Sequence, residues 1–458
     1  MPVSPARAAA FDILLKIEQE SAYASDLLHS ARFRKLSSVD HGLATELVMG
    51  VLRWRSLLDE RIGEHSSRSL DKLDLEVLIA LRLAAYQLLF LGRVPAHAAV
   101  DESVELVKRG RKRSAVPMVN AVLRKLAPVL AQQREHISTL LSDSPPDSAE
   151  PLAAGRPPEG LSRCFAHPLW LVERWVNQFG GEAAQRICRY DQRVPETAIR
   201  LSEPTAEAEL EQVGVKLAPG QLVMQARRVL LGDVPNTRAF REGRIAIQDE
   251  ASQLVALLVG RGKSILDCCA APGGKTRMLA QRNPEATVVA VELHPHRARL
   301  LRKLVPAQTV QVIAADVCRL PVRARFDRVL ADVPCSGTGT LARNPEIKWR
   351  LKPDDLADLQ SRQVAILQSA MQHVAPGGRL VYSTCSLERE ENEEVVTKAL
   401  ASDQSFRLLE CRQELERLSS EGELAWKNLD SLTRGPYLRT VPGVHPGEGF
   451  FAAILQRT

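Results

Sequence analysis

The sequence is poor in aromatic residues and has no long apolar run. Phenylalanine, tryptophan and tyrosine make up 4% of the 458 residues, so a binding surface built mainly from stacked rings is not expected. No apolar stretch approaches the length that spans a bilayer, and Glu18 and Glu20 directly follow a short apolar run near the amino end. We therefore expect neither a membrane span nor a secretory signal peptide, and predict a cytoplasmic protein.

Cysteine is present without the spacing that metal sites need. The eight cysteines are scattered, and no two of them form a C-x-x-C pair. Because no histidine cluster accompanies them, neither a zinc site nor any other metal is predicted. Reduced thiols are the default for such a protein.

Length and charge set broad limits. A chain of 458 residues is too long for one ordinary core, so two to four domains are expected. With 45% hydrophobic and 25% charged residues, the composition is typical of a globular protein. The net charge of +6 suits a polyanionic partner but also fits many proteins that have none. Basic side chains would have to provide most contacts to such a partner.

The first 138 residues have the pattern of a helical bundle. Apolar residues recur at helical spacing, for example Ala8, Phe11, Leu14 and Leu15. A basic run within this region suits contact with phosphates, but it is equally typical of a solvated loop between helices. Its members surround Gly110 and are Lys108, Arg109, Arg111, Lys112 and Arg113.

Composition then changes twice along the chain. Residues 139–162 contain five prolines among Ser, Asp, Ala and Gly, which predicts a linker. Residues 163–244 are predicted to form a small α+β module, because AIRLS (198–202) and VKLAP (215–219) have the pattern of strands and TAEAELEQVG (205–214) that of a helix. From 245 to 458 apolar strands alternate with helices, which indicates a parallel α/β domain. The strands are SILDCCA, TVVAVEL, VQVIAAD, FDRVLADVP and GGRLVYSTC.

The first of these strands leads into a glycine turn that favours a nucleoside ligand. The turn lacks the first glycine of a P-loop, where Cys269 stands, and it lacks the G-x-G-x-x-G of a nicotinamide site. Acidic residues end the following strands, and a carboxylate about 20 residues beyond the turn suits the hydroxyls of a ribose. An adenosine-bearing ligand without a pyrophosphate fits best, and S-adenosylmethionine (SAM) is the common one. The predicted cofactor residues are Cys269, Ala270, Ala271, Pro272, Gly273, Gly274, Lys275, Glu292, Asp316 and Asp332.

Two further segments at strand ends carry thiols. Cys335 lies in ADVPCSGTGTLARNPEIKW, and Cys385 lies in VYSTCSLEREENEEVV. A lone cysteine is usually an inert core residue, but polar and glycine-rich surroundings favour reactivity. Because strand-end loops of a parallel α/β domain gather at one edge, both thiols are expected near the cofactor.

The segments CAAPGGKT, DVPCSGTGT, NPEIKW and YSTCS together resemble the RNA 5-methylcytosine methyltransferases. More narrowly, the chain resembles the bacterial RsmB (Sun, Fmu) family over essentially its full length. DHGLATELVMGVLRWR and VPMVNAVLRKL are similar to the NusB antitermination factor. Three positions depart from the family's usual residues, namely Glu292, Val333 and Glu448. None of these changes removes a reacting group.

The resemblance implies a fold and an activity. It implies a NusB-like all-α domain over 1–138 that binds RNA, and a Rossmann-like class I SAM methyltransferase domain over 245–458. The implied activity is methylation of carbon 5 of a cytosine in 16S rRNA, or in a small-subunit assembly intermediate. By the same resemblance Cys385 is the nucleophile, Cys335 assists its release, and Asp332 binds the base. Lys348 is left open, either as a group that positions phosphate or substrate or as an exposed lysine.

Two other functions remain open at this point. The same chemistry on tRNA is one, and a noncatalytic RNA-binding or antitermination factor is the other. Both thiols and the glycine turn are present, which speaks against a noncatalytic protein. We also expect a monomer that binds RNA and no membrane.

Overall fold

The computed structural model describes residues 3–20, 22–30, 32–33, 35–141, 157–305, 308–320 and 324–458. Residues 142–156 of the predicted proline-rich linker lie outside the described residues. The chain divides into a first unit, Met1–Val194 with Leu341–Arg350, and a second unit, Pro195–Thr340 with Leu351–Thr458. Across the described ranges, none of the helices combines the length and apolar character needed to cross a membrane.

The first unit is all-helical in its described residues. A side-chain cap marks the start of α3, where Ser37 Oγ accepts a hydrogen bond of 3.1 Å from the Asp40 amide. Apolar residues at helical spacing, among them Phe11 and Leu47, fill its core, which confirms the predicted bundle. The helices are α1 (Pro5–Glu20), α2 (Ala24–Leu28), α3 (Ser38–His65), α4 (Leu75–Phe90), α5 (Ala96–Arg109), α6 (Val116–Leu141), α7 (Pro158–Cys164), α8 (Leu169–Phe179), α9 (Gly181–Asp191) and, from the later segment, α15 (Ile347–Arg350).

The boundaries of the first unit differ from the predicted ones. Residues 139–141 belong to α6, and α7 begins at Pro158, so helix replaces both ends of the predicted linker. Proline suits the first turn of a helix, because that position has no intrahelical partner for a backbone N–H. The structure groups residues 163–194, expected in the small module, with the helical unit. As functional domains, these divisions stay a prediction.

The second unit starts with a small antiparallel sheet of order β2-β3-β1-β4. Its strands and its first helix confirm the predicted elements at 198–202, 205–214 and 215–219. The fourth strand starts at residue 245, where the catalytic domain was expected to begin. It pairs with β1 of the small sheet and not with a strand of the large sheet. The elements are β1 (Thr197–Leu201), α10 (Thr205–Gln212), β2 (Lys216–Pro219), β3 (Ala226–Leu231), α11 (Arg238–Arg241) and β4 (Ile245–Ile247).

The large sheet of the second unit has the order β11-β12-β13-β9-β8-β5-β6-β7, and β10 pairs with β13. The five predicted strands are β5 to β9 and they pair in parallel, which confirms the α/β prediction. The antiparallel strands β10 to β13 were not predicted. The elements are α12 (Glu250–Val259), β5 (Ser264–Asp267), α13 (Gly274–Arg282), β6 (Thr287–Glu292), α14 (Pro295–Leu304), β7 (Val310–Ala314), β8 (Phe326–Asp332), α16 (Asp355–Gln372), β9 (Val374–Thr384), α17 (Glu393–Ser402), β10 (Phe406–Leu409), α18 (Cys411–Ser420), β11 (Thr433–Arg434), β12 (Tyr437–Arg439) and β13 (Phe451–Arg457).

Burial on both faces explains the apolar strands of this sheet. Successive residues of one strand join different clusters, as Ile265 packs in one core and Leu266 in another. The strand β5 lies between β6 and β8, so the strand order reverses there. In open parallel sheets, ligands bind at the carboxyl ends of the strands beside such a reversal. The candidate site is therefore sought at the ends of β5, β6, β8 and β9.

Candidate active site

The glycine turn after β5 requires a residue without a side chain at one position. Gly273 has φ 115°, in the left-handed region, and it directly precedes α13. A Cβ added there would lie 2.6 Å from Leu301 Cδ1 and 2.9 Å from Val305 Cγ2, whereas one added at Gly274 would only touch Gln248 at 3.7 Å. Gly273 is thus required by its backbone conformation and by close packing at the start of α13, whereas the role of the turn in cofactor binding stays a prediction.

Glu292 and Asp316 lie at the ends of neighbouring parallel strands. Glu292 is the last residue of β6 and is buried, and its Oε1 accepts a hydrogen bond of 2.9 Å from the His294 amide. Asp316 follows β7 by two residues and is exposed, and its Oδ1 accepts from the Cys318 amide at 2.9 Å. Both carboxylates therefore lie at the carboxyl ends of adjacent parallel strands, which is the edge of the sheet where the cofactor was predicted to bind.

A further carboxylate, Asp267 at the end of β5, was not predicted from the sequence. Its Oδ2 accepts a hydrogen bond of 2.7 Å from Thr276 Oγ1, and its Oδ1 has no hydrogen-bond partner within the described residues. Burial raises the pKa of Asp267 to about 7, although the Thr276 hydrogen bond acts in the opposite direction. A buried, unpaired oxygen beside the glycine turn fits a polar ligand group. The signal was an acidic residue closing the apolar strand SILD directly before the turn.

Asp332, at the end of β8, forms an ion pair with Lys275 of the cofactor turn. Lys275 Nζ lies 2.8 Å from Asp332 Oδ2, and Ser383 Oγ donates to Asp332 Oδ1 at 2.7 Å. Burial by itself would lower the pKa of Lys275, but the attraction of Asp332 outweighs it and raises that pKa. Both residues were predicted as cofactor residues from the sequence, but their ion pair was not. The pair fixes the orientation of the carboxylate and places a positive charge next to it.

The two thiols are brought together. Cys335 follows β8 and Cys385 follows β9, and their Sγ atoms lie 3.3 Å apart, within hydrogen-bond distance for sulfur. Both residues are half-buried. The hydrogen bond with Cys385, together with burial, raises the pKa of Cys335 well above its ordinary value. Cys335 therefore keeps its proton at neutral pH.

Lys348 does not fit either reading left open by the sequence. It is 1% exposed and belongs to the first unit, where its Nζ donates to the carbonyl oxygens of Arg53 at 2.8 Å and Ala166 at 3.0 Å. Burial lowers its pKa to about 7. Trp349 Nε1 also donates to the Leu52 carbonyl, at 2.6 Å. The segment NPEIKW is thus anchored in the helical unit, and Lys348 is neither an exposed lysine nor a group that touches substrate.

The basic run of the helical unit is partly neutralised within the chain. Lys108 pairs with Glu105 at 2.6 Å, Arg109 with Asp12 at 3.1 Å, and Lys112 with Asp74 at 2.9 Å. Among the described residues, no carboxylate lies within ion-pair distance of the two other members, Arg111 and Arg113. These two are the members of the run that remain for phosphate contact.

The described part of the chain has no group of three or more His, Cys, Asp or Glu side chains that could hold a metal ion. The candidate site is instead built from carboxylates, one lysine and two thiols at the carboxyl ends of parallel strands. This arrangement can hold a nucleoside cofactor on one side of β5 and present a nucleophile on the other.

Comparison with known proteins gives the family. The family model for "16S rRNA methyltransferase RsmB/F" matches residues 255–456, and that for the NusB family matches residues 4–128. The "Probable ribosomal RNA small subunit methyltransferase B" of Bacillus subtilis is 32% identical over 472 residues, which cover 100% of both chains. The "Ribosomal RNA small subunit methyltransferase B" of Vibrio cholerae is 31% identical over 98% of this chain and 97% of that one.

Solved structures agree with this assignment at the level of the fold. The crystal structure of PH0851 has a TM-score of 0.78 with 23% identity and full coverage of both chains. A methyltransferase homologue from Pyrococcus horikoshii has a TM-score of 0.54 with 25% identity, over 65% of this chain and 98% of that one. The predicted family and the predicted fold class are both confirmed. The chain therefore belongs to the RsmB/F family of SAM-dependent 16S rRNA methyltransferases and carries a NusB-family helical domain.

Proposed function

We propose that this protein methylates carbon 5 of one cytosine in 16S rRNA through a covalent bond between Cys385 and the base. The observation that carries the proposal is the pair of thiols 3.3 Å apart at the ends of β8 and β9, beside the Asp332–Lys275 ion pair. Membership of an rRNA methyltransferase family supports the substrate class. A cytoplasmic location and a monomeric state stay predictions.

The residues around the glycine turn suit the cofactor. The turn from Cys269 to Lys275 would receive it, with Glu292 on the ribose hydroxyls and Asp316 at the adenine edge. The unpaired Oδ1 of buried Asp267 adds an acceptor for a donor group of the ligand. When bound, SAM supplies a methyl group attached to a positively charged sulfur, which carbon 5 of the base can attack.

A nucleophile is needed because carbon 5 of cytosine reacts too weakly by itself. Addition of the Cys385 thiolate forms a bond from sulfur to carbon 6 and makes carbon 5 enamine-like, so that carbon 5 can take the methyl group. Negative charge develops on the base during this addition. We propose that Asp332 accepts a hydrogen bond from the exocyclic amine and, once ring nitrogen 3 has taken up a proton from solvent during the addition, from that N–H as well. The adjacent Lys275 ammonium offsets the remaining negative charge.

Release reverses the addition. The proton on carbon 5 leaves to solvent, the bond from carbon 6 to sulfur breaks, and the ring double bond returns as Cys385 departs as a thiolate. A neutral Cys335 thiol within 3.3 Å can donate a hydrogen bond to this departing sulfur. Its raised pKa supports a neutral thiol, which is the form in which Cys335 could donate this hydrogen bond without giving up its proton.

Bisulfite sequencing of RNA from cells with and without the gene tests the proposal. We expect one 16S rRNA cytosine to lose its protection from bisulfite in the deletion strain. The wild-type gene should restore protection, and a gene encoding Cys385→Ala should not. Loss of protection in a tRNA instead would show the same chemistry on another RNA. Unchanged protection in all RNA would contradict the proposal.

A further inference from the structure

A carboxylate that takes no part in the site described above connects the two cysteine segments. Glu391 lies in the stretch EREENEEVV after β9 and is 0% exposed. Its side chain therefore cannot reach substrate or cofactor. A charged group in such a position requires several hydrogen-bond donors, and these donors identify what the carboxylate holds.

The donors to Glu391 come from the residues that follow the two thiols. Ser336, next to Cys335, donates its backbone N–H to Glu391 Oε1 at 2.8 Å and its hydroxyl to Oε2. Ser386, next to Cys385, donates its hydroxyl to the same Oε2 at 2.5 Å. One carboxylate oxygen is thus shared by two segments that are 50 residues apart in the chain.

Gln363 of α16 strengthens this arrangement on the side of Cys335. Its Nε2 donates to Glu391 Oε1 at 2.8 Å and to the carbonyl oxygen of Pro334 at 3.0 Å. Cys335 is therefore held through the residue before it and the residue after it. Cys385 is linked to the same carboxylate through Ser386 alone.

We propose that Glu391 is a positioning residue that sets the separation of the two thiols and thereby the efficiency of release. The proposal rests on the covalent mechanism proposed above. Because the hydrogen bond from Cys335 to the departing sulfur depends on a separation of 3.3 Å, loosening either segment slows release more than addition. Addition needs only Cys385, which also remains fixed by its position at the end of β9.

The test measures covalent RNA adduct on denaturing gels, SAM affinity by calorimetry and turnover. In Glu391→Ala we expect unchanged SAM affinity, slower turnover, and an adduct that increases about tenfold or more over wild type, as in Cys335→Ala. In a Cys335→Ala background, Glu391→Ala should add no further adduct. Glu391→Gln, which keeps an acceptor oxygen and can donate to the serine hydroxyls, should restore much of the turnover.

Glu394→Ala is the matched control. Glu394 lies three residues further along, is partly buried, and accepts a hydrogen bond of 2.9 Å from Gln360 Nε2, away from the thiol segments. We expect it to leave adduct and turnover unchanged. If Glu391→Ala impairs folding, seen as lost SAM binding, Ser386→Ala provides the second test. It keeps the carboxylate but removes the hydroxyl that links the Cys385 segment to Glu391 and to Ser336 Oγ, so it should still increase the adduct.

The outcomes separate this proposal from the proposed function. Normal turnover in Glu391→Ala and Ser386→Ala with SAM binding intact would overturn the positioning role. So would loss of both adduct and methyl transfer in a variant that binds SAM, because Glu391 would then serve addition. If Cys335→Ala forms no adduct and the wild-type protein makes no 5-methylcytosine, the covalent mechanism itself fails, whatever Glu391 does.

Discussion

Cys335 Sγ lies 3.3 Å from Cys385 Sγ, and each residue follows one of two adjacent parallel strands. Two thiols at this separation can form a hydrogen bond, and this contact together with burial raises the pKa of Cys335.

Variants that lack one or the other of the two thiols should show different defects. Cys385→Ala should abolish both turnover and the covalent RNA adduct, because no bond to carbon 6 can form. Cys335→Ala should still transfer methyl and then stall with RNA attached through Cys385. Denaturing gels with labelled RNA and SAM distinguish the two, since only a covalent complex survives. An adduct in Cys385→Ala, with none in Cys335→Ala, would reverse the assigned roles.

Cofactor affinity should depend on the strand-end carboxylates. We expect Glu292→Ala and Asp316→Ala each to weaken SAM binding about tenfold or more, because a hydrogen bond to a charged group contributes about 1.5–3 kcal/mol. Calorimetry measures the effect, with Glu211→Ala on the exposed face of α10 as the control. Unchanged affinity in both strand-end variants would show that the assigned pocket is wrong.

The glycine turn offers two neighbouring positions with different demands. Gly273→Ala should destabilise the fold by about 1–2 kcal/mol from its left-handed backbone alone, and more from the contact of 2.6 Å with Leu301. Gly274→Ala meets nothing closer than 3.7 Å and should retain most of the stability. Thermal denaturation of the two variants measures the difference. Equal melting temperatures would contradict the backbone argument.

The strand ends could be predicted from sequence because each apolar strand stops at a polar residue. The carboxyl ends of parallel strands then have to meet at one edge, which placed Glu292, Asp332 and Cys385 on the same side of the sheet. Pairings across that edge could not be predicted, because the distance from Lys275 Nζ to Asp332 Oδ2 depends on how two elements 57 residues apart pack. The same holds for the thiol separation.

Two other features escaped prediction for identifiable reasons. Lys348 is buried because its segment, 341–350, packs within the helical unit. The local sequence NPEIKW contains no feature that indicates a fully buried lysine. Pro158 was taken as part of a linker, although it starts α7. Composition identifies residues that resist helix interiors, but it does not distinguish a linker from the first turn of a helix.

Stability should depend on the ionisation of Asp267. Its folded-state pKa is about 7, whereas an unfolded aspartate titrates near 3.8, so the folded protein holds the proton more tightly. The protonated group therefore contributes stability that is fully present below the unfolded pKa and is lost as pH rises through about 7, by an amount on the order of a few kcal/mol.

Asp267→Asn tests this pH dependence. The amide resembles the protonated acid, and its oxygen can still accept a hydrogen bond from Thr276. The stability of the variant relative to wild type should therefore increase from pH 5 to pH 8. Urea denaturation without SAM measures the difference at both pH values. If the difference in stability between wild type and variant were the same at pH 5 and at pH 8, Asp267 would be ionised at both pH values.

The helical unit was predicted to supply RNA affinity, and the structure changes how this prediction has to be tested. Deleting the residues before Thr139 would remove the packing partners of segment 341–350, which belongs to the same unit as those residues. Lys348, for example, donates to the Arg53 carbonyl. A truncated protein would therefore lose more than an RNA surface. Point substitutions in the basic run avoid this problem.

Arg111 and Arg113 are the informative pair, and Lys108 with Arg109 is the matched control. Each double substitution to Ala removes two positive charges from the same basic run, but Lys108 and Arg109 are already paired with Glu105 and Asp12. If the run contacts phosphates, Arg111→Ala with Arg113→Ala should weaken RNA binding. It should also lower the slope of log affinity against log salt by about 0.7 per lost contact with single-stranded RNA.

Filter binding over a range of salt concentrations measures both quantities. The control pair should change the slope less, because a charge that is neutralised within the chain releases fewer counterions when RNA binds. SAM affinity should be the same in all variants, since these residues belong to the first unit and the cofactor residues to the second. Equal slopes in the wild type and in both double variants would remove the basic run from the RNA surface and leave it as a solvated loop between helices.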